Sequence, residues 1–143
     1  MKGSTMRLMI AAAALAVAAG TASAQIYKAE IPVTFRAGGA MMLPGAYEVK
    51  VQSGNAGIPQ VFVRNLDDYK QQVVLIPTPG NDAPKAWRDA GKPVFAFECA
   101  EGRCVLRNLW TATGIATYSF PGSLTPHGDN KVALLLVTLN HAE

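Results

Sequence analysis

From residue 27 onward, apolar and polar side chains alternate in short runs broken by Gly, Pro, Asn and Asp. A period of two is the mark of strands with one buried and one wet face. Tyr27, Ala29, Ile31, Val33 and Phe35 alternate with Lys28, Glu30, Pro32, Thr34 and Arg36, so 27–36 reads as one strand. Pro32 has no N–H for a ladder, which predicts a place at a sheet edge. Residues 37–42 read as a loop around Gly38 and Gly39, and Leu43-Pro44-Gly45-Ala46 as a turn. Tyr47, Val49 and Val51 then alternate with Glu48, Lys50 and Gln52. A turn region at 53–59 leads to strands at 60–65 and 71–76, with a turn at Asp67-Asp68 between them. The unbroken Val73-Val74-Leu75-Ile76 predicts cover on both faces.

Residues 78–92 form the longest irregular segment, rich in Pro, Gly, Asn and Asp, with room for one helical turn at 83–90. Residues 94–99 and 104–110 read as a hairpin, 115–120 as a strand, 122–130 as a loop and 131–140 as a closing strand. About seven short strands predict an all-β fold, an antiparallel β-sandwich, with a small β-barrel as the alternative.

The first 24 residues do not share this rhythm. Lys2 and Arg7 precede an apolar run over 8–20, and Ala22-Ser23-Ala24 sets small residues before Gln25. This is the three-part pattern of a secretory signal peptide cut between Ala24 and Gln25. Its apolar run is shorter than the ~20 residues a membrane helix needs. The expectation is an exported protein, periplasmic or extracellular, with a single domain at 25–143 and no stable membrane span after cleavage. Export also changes the charge. The chain has 13 Lys+Arg and 10 Asp+Glu; without Lys2 and Arg7 that becomes 11 against 10, a net charge of +1. A nucleic-acid partner has no support in so balanced a chain.

Cys99 and Cys104 are the two cysteines, and an exported chain meets an oxidising compartment. If Glu101-Gly102 is a two-residue hairpin loop, Ala100 faces Arg103 and Cys99 faces Cys104 at a non-hydrogen-bonded rung. Cα atoms there lie about 4.5 Å apart, within disulfide reach. The same register sets Phe97 opposite Leu106, Phe95 opposite Asn108, and Glu98 diagonal to Arg107. Four intervening residues do not match the C-x-x-C redox spacing, so the pair reads as a structural disulfide.

The catalytic inventory is sparse. His127 lies in a Pro-His-Gly-Asp turn and His141 is third from the end. Ser123, His127 and Asp129 share one polar loop, where turn chemistry accounts for them. No zinc, phosphate-loop or nucleophile-elbow motif is present, and no metal or other cofactor is expected. Among the aromatics, Trp110 reads as core, while Trp87 in the long irregular segment is the candidate exposed anchor. Met41 and Met42, beside the Gly38-Gly39 loop, are candidates for the same surface.

Three stretches together resemble a group of small exported bacterial proteins of unknown function. These are Ile31-Pro32-Val33-Thr34-Phe35, Leu43-Pro44-Gly45-Ala46-Tyr47, and the spaced set Phe97, Gly102, Leu106 and Trp110. The group's turn runs L-P-A-G-x-Y where this chain has Pro-Gly-Ala, and here a cysteine pair stands in the late hairpin. The resemblance implies export and a β-rich fold, and it implies no reaction. The functional expectation is a non-enzymatic β-sandwich acting as a binding or interaction module at the cell envelope. Its partner would be an envelope protein or a small apolar ligand. A β-barrel carrier of an apolar ligand is the alternative, and a hydrolase built on the Ser123, His127 and Asp129 loop stands third.

Overall fold

The computed structural model describes residues 25–122, 124 and 131–142. The leader with Ala24, and the loop holding Ser123, His127 and Asp129, lie outside the described residues. Numbered in chain order, the strands are β1 Gln25–Ile31, β2 Phe35–Ala37, β3 Ala40–Met42, β4 Gly45–Ser53, β5 Pro59–Asn65, β6 Gln72–Leu75 and β7 Thr78–Asp82. A helix, α1, spans Lys85–Ala90, and β8 Val94–Ala100, β9 Arg103–Trp110, β10 Ala116–Ser119, β11 Ala133–Thr138 and β12 Asn140–His141 follow it.

The strands form two sheets that are not closed into a barrel, so the sandwich expectation holds. The first sheet runs β12-β1-β4-β5-β6. The second runs β11-β8-β9-β10-β7, with β2 paired to β9 and β3 paired to β2. The inward faces of both meet in one core: Tyr27, Val49 and Val63 from the first, Phe35, Phe95, Phe97 and Leu106 from the second. None of these seven is more than 1 % exposed. Phe35 stands edge-on to both Tyr47 and Phe97, at ring-centroid distances of 5.5 and 5.2 Å, a favoured aromatic geometry.

The 27–36 run is two strands, not one. β1 ends at Ile31 in the first sheet, and β2 begins at Phe35 in the second. Pro32 explains the break: it cannot donate to the ladder, so pairing stops and the chain turns the corner of the sandwich. Nor is β1 an edge. It pairs along its whole length with β4, and β12 adds Tyr27↔His141 and Lys28↔Asn140 on its other side.

The Leu43-to-Tyr47 turn is held by the Tyr47 hydroxyl, which donates to the Leu43 carbonyl oxygen four residues upstream. This is the arrangement of a tyrosine corner. β6 is covered on one face only: Leu75 is buried, whereas Val74 and Ile76 are 49 and 60 % exposed. It is the outermost strand of its sheet, which its continuous apolar run disguised. β7, read from sequence as irregular, pairs with β10. Gly80 is needed there, because a Cβ would lie 2.4 Å from the Thr117 Oγ1.

The hairpin β8–β9 forms as expected from Ala100↔Arg103 through Phe97↔Leu106. Beyond that the register shifts, Ala96 faces Asn108, and Phe95 faces Leu109 rather than Asn108. Arg107 is the extra residue of this β-bulge. α1 ends at Gly91, whose φ of 68° is left-handed and whose N–H caps the Trp87 carbonyl. Trp87 packs with Ala83, Val94, Ala96 and Trp110 as a second, smaller core on the outer face of the second sheet.

Candidate functional site: a basic cleft beside the disulfide hairpin

Two tight hairpins come together at one end of the second sheet. The first turns at Gly38 and Gly39, with φ of 57° and 82°. The second turns at Glu101 and Gly102, with φ of 56° and 75°. Two successive positive φ values give the turn geometry whose twist suits a two-residue hairpin. The second hairpin is stapled by the Cys99–Cys104 disulfide, its Cα atoms 4.1 Å apart. The first is seated by Gly38, where a Cβ would come within 2.7 Å of Leu75 and 3.0 Å of Val73.

Strand pairing decides which side chains share a face. Arg36 is the cross-strand partner of Met41 in β3 and of Val105 in β9. Arg103 lies two residues before Val105 and so points to the same side. Phe35, Ala37 and Cys104, one position away, belong to the core. Arg36, Met41, Arg103 and Val105 therefore share the outer face of the second sheet. α1 covers the other end of that face, over Val94, Ala96 and Trp110.

β10 and β2 share one edge of β9: β10 pairs at Asn108 and Leu109, β2 at Val105. The chain leaving β10 crosses the junction and is tied down by Arg107. Its Nη1 donates to the Phe120 and Gly122 carbonyl oxygens, its Nε donates to Glu98 Oε1 at 3.2 Å, and the Phe120 N–H returns a bond to the Arg107 carbonyl. The bulge frees Arg107 to make this clamp. Gly122 lies close against Val105, where a Cβ would be 3.3 Å from Cγ1.

The result is a cleft of ≈ 580 Å³. Thr34, Arg36, Gly38, Gly39 and Met41 line one wall, Gly102, Arg103, Cys104 and Val105 the floor, and Pro121, Gly122 and Leu124 the other wall. The volume lies within the ~300–1,000 Å³ of small-molecule sites. Among the described residues, its charged lining is two arginines with no carboxylate. Arg103 pairs with Glu101 at 3.3 Å in an exposed ion pair, a kind worth little. Arg36 forms no ion pair among the described residues.

Of the side chains singled out from sequence, Met41 is 58 % exposed and lines the cleft. Met42 is 1 % exposed and sits in the main core, because the hairpin alternation turns it inward. Trp87 is not an exposed anchor: it is 9 % exposed, since a short helix lays it on Trp110 and Ala96. Cys104 contributes to the floor. Gln25, the residue after the expected cleavage, begins β1 opposite Val51. His141 stacks on Tyr27 with centroids 4.8 Å apart. Among the described residues, no three of His, Cys, Asp and Glu gather into a metal-holding group, and no helix is long and apolar enough to cross a membrane. Arg36 and Arg103 went unnoticed in the sequence. The available signal was Gly38-Gly39 flanked by alternation, a two-residue hairpin signature that sets Arg36 beside Met41. No family model, curated protein or solved structure matches this chain.

Proposed function

We propose that this chain is an exported, non-enzymatic binding module of the cell envelope that engages its target through the cleft at Arg36, Met41, Arg103 and Val105. The observation that carries the reading is the division of the outer face. α1 seals one end with an apolar core, and the other end is left open, basic and part apolar. A signal-peptide pattern at 1–24 and a disulfide pair support export to an oxidising compartment. The space between the sheets is filled by Tyr27, Phe35, Phe95 and Phe97, each 0 % exposed. A carried ligand therefore belongs in the surface cleft rather than inside the sandwich.

The test is native mass spectrometry of the protein recovered from its host envelope, beside an Arg36→Glu/Met41→Asp variant. The expected wild-type species begins at Gln25, is two hydrogens lighter than the reduced chain, and carries added mass that the variant lacks. A bare chain in both samples, or a chain retaining residues 1–24 in the cytoplasm, overturns the reading.

A further inference from the structure

The chemistry of the cleft narrows what it can hold, an inference that rests on the cleft being the binding site. We propose that it takes an amphiphilic anion, a carboxylate or phosphate carried on an alkyl chain. Two arginines line it, and among the described residues no acidic side chain does. Guanidinium groups offer planar forks that match carboxylate and phosphate oxygens two at a time. Both stand on strands anchored at rigid points: Arg36 one step from the Gly38-Gly39 hairpin, Arg103 beside the disulfide. The backbone positions from which they reach are thus set before binding.

The other half of the lining is apolar. Met41 is the cross-strand neighbour of Arg36, Val105 forms the floor, and Pro121 and Leu124 form the far wall. Met41 is solvent-exposed on a charged strand face, where burial explains nothing about it. A flexible thioether beside a guanidinium suits an alkyl chain leaving an anionic head. Gly38, Gly39, Gly102 and Gly122 keep the walls low, so the cleft admits a chain along its length. A simple inorganic anion would leave the apolar wall unused, and a neutral lipid would leave Arg36 with no ion-pair partner among the described residues.

Calorimetric titration of the oxidised protein with dodecyl phosphate, dodecanoate, dodecan-1-ol and inorganic phosphate, all below micellar concentration, tests the inference. Both amphiphilic anions are expected to bind at least about tenfold tighter than the alcohol or inorganic phosphate. Arg36→Gln is expected to weaken dodecyl phosphate roughly tenfold, the scale of one charge-assisted contact. Arg103→Gln acts in the same direction. Lys70→Gln, on an exposed turn of the first sheet, leaves affinity unchanged. Sedimentation with phosphatidylglycerol but not phosphatidylcholine vesicles, lost in Arg36→Gln, places the amphiphile in a membrane leaflet. Binding of the soluble amphiphiles without sedimentation places it free in solution. Dodecan-1-ol binding as tightly as dodecyl phosphate, or Arg36→Gln and Arg103→Gln folding normally and binding like wild type, overturns the proposal. A bare chain recovered from the envelope, beside selective amphiphile binding in solution, overturns only the envelope reading.

Discussion

Tyr27 and Tyr47 are fully buried, and each carries a hydroxyl that had to find a partner. Tyr27 donates to Gln25 Oε1 at 2.8 Å, and Tyr47 donates to the Leu43 carbonyl. Burial raises both phenol pKa values, for Tyr27 with help from the nearby Tyr118, and for Tyr47 with a partial offset from Asn65. The folded state thus holds these two protons more tightly than the unfolded chain, whose phenols ionise near 10. Stability from this source is complete below pH about 10 and is lost as pH climbs through the raised folded values. The midpoint of urea unfolding is therefore expected to drop steeply above pH about 10. Tyr27→Phe/Tyr47→Phe should start less stable at neutral pH, having lost two hydrogen bonds, yet decline less on the alkaline side. An identical alkaline decline in both proteins would place its origin elsewhere. The same scale shows what a one-letter pattern can and cannot say. Met41 and Met42 are adjacent, so a strand necessarily sends one to solvent and one to the core. Which goes where depended on the hairpin register, and that was set by two glycines.

At the scale of elements, hairpin β8–β9 was the most legible part of the chain. Its turn needed only Glu101-Gly102, and the cysteines then fell opposite one another. Strand pairs further on were misjudged by one residue because the bulge at Arg107 leaves no composition signal. What Arg107 does becomes visible only once β10 returns and offers the Phe120 and Gly122 carbonyls. The 27–36 run hid a change of sheet for a related reason. Phe35 and Ala37 keep the in-out alternation of β1 across the corner, so periodicity passes through unbroken. β7 was missed because Thr-Pro-Gly-Asn-Asp is poor strand material, and it pairs through the close approach that Gly80 allows. The disulfide spans a sequence separation of five. Closing so short a loop constrains the unfolded chain little, by about 2 kcal/mol. Reduction, or Cys99→Ala/Cys104→Ala, is expected to lower unfolding free energy by about that amount and leave far-UV circular dichroism native. Loss of the native spectrum on reduction would mean that the bridge organises the fold rather than trimming it.

At the scale of the molecule, the second sheet is buried on both faces for part of its length and on one face for the rest. That asymmetry separates stability from binding. α1 is six residues long, too short to hold itself in water. It persists because Trp87 lies on Trp110, Ala96 and Val94, and because Gly91 closes its C-terminus. The sequence made Trp87 conspicuous as a large aromatic in a polar loop, but the loop folds back and spends it on packing. Trp87→Ala is accordingly expected to cost about 3–5 kcal/mol, the range for truncating a buried aromatic. It should lower the thermal midpoint and quench the change in tryptophan emission on unfolding. The cleft lies at the opposite end of the same face, lined from the Gly38-Gly39 and Glu101-Gly102 turns and bordered by the Arg107 clamp, and no residue lining it belongs to the Trp87 cluster. Under conditions where the Trp87→Ala protein remains folded, its affinity for dodecyl phosphate should match the wild type within about twofold, since distant sites act independently. Arg36→Gln should show the converse, with an unchanged thermal midpoint and weakened binding. If instead Trp87→Ala weakened binding while Arg36→Gln did not, the aromatic end would be the contact surface, and α1 would have to leave the sheet to expose it.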